Sequence, residues 1–141
     1  MKNNVVIKLL TTQIYEDEQP ETLEYMTEGR LEKTPDGIKI FYDEPNGDLK
    51  DVKNEITVST PDFVTLSREG EYTSVLSIEK GKRHNCLYDT PYGSFMMGVF
   101  ASDVNACFSE CDGQIDLKYT VDCNTSVVSE NTVKIRVENI L

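Results

Sequence analysis

No stretch of the 141-residue chain comes near the 18 or more apolar residues that a membrane-spanning helix needs. Positive charge is also scarce. Fourteen lysines and arginines face 25 aspartates and glutamates, giving a formal net charge of -11 and a pI near 4.5. A polyanion would be repelled, and no basic stripe offsets the imbalance, so nucleic acid and anionic membranes are excluded as partners. Histidine occurs once, at His84, and helical periodicity is missing throughout. Without a glycine-rich elbow or a helix N-terminus, nothing supplies the oxyanion site that a thiol or hydroxyl nucleophile requires. No enzymatic constellation is expected.

The N-terminal run M-K-N-N-V-V-I-K-L-L-T-T-Q has a lysine followed by apolar residues, the outline of a signal peptide. Lys8 interrupts the run, no small-residue cleavage site follows, and Glu16-Asp17-Glu18 comes too soon. The run is read as a first strand and the protein as cytoplasmic. Four cysteines (Cys86, Cys107, Cys111 and Cys123) are then expected as free thiols rather than as two disulfides.

What the sequence does contain is alternation. Ile38, Ile40, Tyr42 and Glu44 share one face of an extended segment, as do Ile115, Leu117, Tyr119, Val121 and Cys123, and Val133, Ile135 and Val137. Successive side chains of a strand point to opposite faces, so each run buries one face and wets the other. Similar runs occupy about 4–15, 22–32, 52–59, 62–69, 72–80, 83–89 and 94–105. Between them a tetrapeptide recurs: T-P-D-G at 34–37, E-P-N-G at 44–47 and T-P-Y-G at 90–93. Proline presets the backbone at the second turn position and glycine is favoured at the fourth, so these are turns. No proline falls inside a strand run, as a sheet requires.

Roughly ten short antiparallel strands in residues 1–141, one domain, must close on themselves or stack as two sheets. Consecutive tight connections favour an all-β, mostly up-and-down closed β-barrel of about 8–10 strands. The chain also carries, in order, T-E-G-R (27–30), I-F-Y-D-E (40–44), S-R-E-G (67–70), V-L-S-I-E-K-G (75–81), L-Y-D-T-P-Y-G (87–93) and G-Q-I-D-L-K-Y (113–119). In that order and spacing the chain resembles the YwiB-like family of small uncharacterised bacterial β-barrel proteins, from about Val5 to Ile140. The resemblance implies a calycin-like, lipocalin-type barrel without an assigned activity. The Met- and Phe-rich segment 94–108 departs from the pattern.

Several clusters could carry chemistry. His84 and Cys86 sit two apart on one strand, so a thiol–imidazole pair is conceivable, but strand residues leading into a turn are the simpler reading. Cys107 and Cys111 form a C-x-x-x-C without a second ligand pair, so no metal site is assigned. Glu16, Asp17, Glu18 and Glu21 lack the alternating spacing of a calcium loop. The more informative set is polar residues phased inward. Tyr42 and Glu44 follow Ile38 and Ile40, Arg68 follows Val64 and Leu66, Tyr119 lies between Leu117 and Val121, and Tyr25 is in phase with Leu23 and Leu31. A buried charge is costly unless paired, so Glu44 and Arg68 should meet each other or a ligand. Tyr42, Glu44, Arg68, Tyr88 and Tyr119 are therefore the candidate lining for a small amphipathic or anionic molecule, in the barrel or at its mouth, with no cofactor. The alternative is a side-chain-filled barrel whose outer surface, around Phe95 to Phe100, contacts a second copy or a protein partner.

Overall fold

In a computed structural model, residues 2–15, 18–43, 52–110, 112–123 and 126–140 are described. They form ten strands: β1 (Lys2–Tyr15), β2 (Glu21–Thr34), β3 (Gly37–Asp43), β4 (Lys53–Thr60), β5 (Phe63–Glu69), β6 (Thr73–Glu79), β7 (Arg83–Thr90), β8 (Gly93–Ser109), β9 (Asp112–Cys123) and β10 (Ser126–Asn139). Each pairs antiparallel with its neighbours in sequence, and β1 pairs with β10 to close an up-and-down barrel. The alternation read from the sequence is what closes it. One parity of every strand supplies the interior, including Ile7, Leu31, Ile40, Ile56, Val64, Ile78, Val99, Ile115, Leu117 and Val137, each at 2% exposure or less. Full burial of such a side chain stabilises by about 1.5–3 kcal/mol, and these side chains fill the waist of the barrel.

The repeated turn is one device used twice among the described residues. In T-P-D-G the Thr34 hydroxyl accepts from Asp36 N–H (3.3 Å) and donates to Gly37 O (3.1 Å). In T-P-Y-G the Thr90 hydroxyl accepts from Tyr92 N–H (3.1 Å) and donates to Gly93 O (2.9 Å). Gly37 and Gly93 have φ of 136° and 135°, a region that side chains rarely enter, which is why glycine closes both hairpins. The E-P-N-G copy lies outside the described residues. Thr60-Pro61-Asp62 repeats the threonine hook, with Asp62 N–H donating to Thr60 Oγ1 at 3.2 Å, but dispenses with the glycine.

Because direction alternates, the connections after β1, β3, β5, β7 and β9 share one end of the barrel, and both chain termini share the other. The terminal end is closed by turns folded against β8. Gly81 N–H donates to Ala101 O (2.8 Å), and Ala106 N–H donates to Pro61 O (3.1 Å). β8 makes room for them with a bulge between Ala101 and Asp103. All seven tyrosines lie in the half nearer the opposite end.

β6 and β7 are joined by a connection of only three residues, yet they pair only at Thr73↔Asp89 and Ser74↔Tyr88, the far end of the hairpin. Side chains bridge the rest. Ser77 N–H donates to the buried Cys86 Sγ (3.4 Å), and His84 Nε2 donates to Glu79 Oε1 (2.9 Å).

Candidate functional site

Strand register places the inward polar residues in one continuous row. Gly29 lies opposite Tyr42, Tyr42 opposite Asn54, Asn54 opposite Arg68, Arg68 opposite Ser74, and Ser74 opposite Tyr88. Five consecutive strands, β3 to β7, thus contribute a polar band just inside the tyrosine-rich end, above the aliphatic waist, with Gly29 of β2 at its edge. Tyr42 and Ser74 are buried, while Asn54, Arg68 and Tyr88 are half-buried. Tyr25 Oη donates to Tyr42 Oη at 3.3 Å, with the rings 6.3 Å apart, and Tyr72 stacks on Tyr88 at 6.4 Å. Tyr25, Tyr42, Asn54 and Arg68 each have a further partner.

Of the five candidate residues, the row joins Tyr42, Arg68 and Tyr88. Tyr119 belongs to a separate row, between Ala101 and Asn131, and is 7% exposed. There burial, together with the nearby Tyr15, pushes its pKa up to about 12. Its neighbour Asn131 is 2% exposed and donates to Ser129 Oγ at 3.0 Å. Glu44, the expected partner of Arg68, lies outside the described residues.

An open cleft of about 520 Å³ lies where β1 and β2 pair near the tyrosine-rich end, lined by Thr11, Gln13, Glu21, Thr22 and Leu23. Thr11, Gln13, Glu21 and Leu23 carry the inward parity, and Leu23 is 53% exposed. Leu23 is the cleft's one apolar side chain.

A family model described as a domain of unknown function (DUF1934) matches residues 7–135. The chain belongs to the DUF1934 family. Among solved structures, it is similar to the crystal structure of ywiB protein from Bacillus subtilis. The TM-score is 0.85 at 17% identity, and the match covers 99% of this chain and 94% of that one. At that identity the likeness speaks to the fold, a YwiB-like barrel. No curated protein matches the chain.

In this DUF1934 chain, His84 and Cys86 are strand residues of β7 leading into the Thr90-Pro91-Tyr92-Gly93 turn, and they also bridge β7 to β6. His84 lies nearly parallel to the Phe63 ring (5.7 Å, 15°) besides donating to Glu79, whose other oxygen takes Lys82 Nζ at 3.3 Å. The His84 hydrogen bond, aided by Lys82, holds the Glu79 carboxyl below its ordinary value. Cys86 is a buried acceptor within the wall, and Cys86, Cys107 and Cys123 are free thiols. Cys111 lies outside the described residues, and among those described no three His, Cys, Asp or Glu side chains come together as a metal would need. Arg83 crosses from β7 to β9 and grips Asp122 with Nε (3.0 Å) and NH2 (2.6 Å). It passes over Gly98 of β8, where a Cβ would overlap the guanidinium. A glycine opposite the midpoint of a strand run was the signal for this bridge.

Proposed function

We propose that the protein is a non-enzymatic barrel that binds a modest amphipathic or anionic molecule at its tyrosine-rich mouth. The observation that supports this is the continuous inward row of Tyr42, Asn54, Arg68, Ser74 and Tyr88. A few convergent hydrogen-bonding groups on rigid strands, with one guanidinium among them, are what fixes a small molecule in a site. Ligand in the waist is disfavoured, because aliphatic side chains already fill it. Arg68 offers a planar donor fork to a carboxylate or phosphate. Tyr42 and Tyr88 lie two strands to either side of it in the same row.

A thermal-shift panel of short-chain carboxylates and phosphomonoesters tests the reading, with native mass spectrometry of the purified protein beside it. At least one compound is expected to raise the midpoint by several degrees, and Arg68→Gln to abolish that rise while the variant keeps its fold. A panel with no shift, combined with an apo mass in native spectra, ends the proposal.

A second reading, self-association or a protein partner, draws on exposed apolar residues of β6–β8. Leu87 and Met96 lie opposite one another at 48% and 58% exposure, near Val75 at 48%. Light scattering that finds a strict monomer counts against self-association.

A further inference from the structure

The chain has few cations, and its fold gathers three of them on the outer face of β9, β10, β1 and β2. Lys8 of β1 lies directly opposite Arg136 of β10, and Lys134 is two residues along β10 on the same face. Residues opposite one another in antiparallel strands have Cβ atoms about 4.5–5.5 Å apart, and like charges there are destabilising. The repulsion is incompletely relieved. Lys8 reaches Glu138 at 3.5 Å, an exposed pair, while neither Lys134 nor Arg136 has an ion-pair partner among the described residues. Asp116 lies opposite Lys134 in register, but its carboxylate instead accepts from Gln114 (3.4 Å).

These cations line an open cleft of about 840 Å³ together with Glu24 and Asp116, and Leu10 and the 63% exposed Met26 share it. Lys8 and Arg136 nevertheless stand face to face beside Leu10 and Met26, in a chain with 25 aspartates and glutamates. Local choices that oppose stability concentrate where a protein binds something.

We infer that this face is a binding site for a small molecule with an anionic headgroup on a short apolar tail. The headgroup lies between Arg136 and Lys8, within reach of Lys134, and the tail lies over Leu10 and Met26. The site is separate from the mouth and does not depend on it. Arg136 supplies a planar fork that can engage two headgroup oxygens at once.

Titration calorimetry with octyl phosphate and with inorganic phosphate tests the site, on the parent protein and on the Arg136→Gln, Lys8→Gln and Arg68→Gln variants. Saturable octyl phosphate binding is expected, with inorganic phosphate weaker. Arg136→Gln and Lys8→Gln should each weaken it by about tenfold or more, and Arg68→Gln should leave it unchanged. No saturable binding, or binding lost only in Arg68→Gln, overturns the assignment; the latter outcome places the ligand at the mouth. A measurement without ligand keeps the variant informative. Arg136→Gln should raise the thermal midpoint at low ionic strength, and added salt should erase the gain. A lowered midpoint overturns the like-charge premise. Cosedimentation with vesicles containing phosphatidic acid separates the two sources of such a headgroup. The protein is expected to stay in the supernatant, and pelleting overturns a soluble ligand.

Discussion

Two seams of this barrel make opposite use of the chain. β1 and β10 come from its two ends, yet they pair without interruption from Val5↔Asn139 to Tyr15↔Ser129. β6 and β7 are separated by three residues and part company after Ser74↔Tyr88. Sequence adjacency brings two strands near each other. Whether their backbones bond depends on what else competes for the groups. At β6–β7 the tip of the hairpin bonds to β8 through Gly81 and Ala101, and a sulfur, an imidazole and a carboxylate span the opening. The distant seam is a ladder of backbone bonds, and the local one is a set of side-chain bridges.

The contrast can be broken most forcefully at the closing seam. Ile135→Ala removes a side chain 2% exposed that sits opposite Leu9. It should cost about 2–5 kcal/mol in urea unfolding, because the cavity adds to the lost burial. A smaller effect is expected at the local seam. Cys86→Ala leaves the Ser77 N–H facing a void, at a cost of about 1–3 kcal/mol. Amide exchange at Ser77 should accelerate far more than at Ile7 or Val137. Equal acceleration everywhere would show that the sulfur is only packing.

The smallest effect belongs to Glu79. Its carboxyl is held below its ordinary value, so the stabilisation is complete above the unfolded-state glutamate value, near 4.5. It is lost as pH falls through the lower folded-state value. Thermal midpoints of the parent and Glu79→Gln, compared between about pH 3 and 7, should differ at neutral pH and converge on the acid side. Parallel curves would remove His84 and Lys82 as the cause.

Much of this was legible beforehand, and for one reason. Strand parity is local, so Ile38, Ile40 and Tyr42, or Leu117 and Tyr119, could be assigned to one face without knowing their neighbours. The threonine–proline–glycine turns were legible for the same reason. Ten alternating runs separated by such turns leave little room besides a closed antiparallel barrel. Register is not local. That Tyr42, Arg68 and Tyr88 share a row, while Tyr119 does not, depends on pairings across five strands, β3 to β7. The Arg83–Asp122 bridge joins residues 39 apart, and Lys8 meets Arg136 only because the two ends of the chain meet. His84 and Cys86 are the strand residues that alternation makes them, with a further part in the wall. They span the opening between β6 and β7 that no pattern of alternation reveals.

The raised pKa of Tyr119 makes the barrel its own clock. The chain has no tryptophan, so its near-ultraviolet signal comes chiefly from seven phenols. One of them is walled in so thoroughly that its proton is retained up to about pH 12. After a jump to an alkaline pH below that value, Tyr119 becomes phenolate only when the wall around it opens. The part of the late absorbance rise that a Tyr119→Phe variant lacks then times the opening of the barrel from inside, with no label attached.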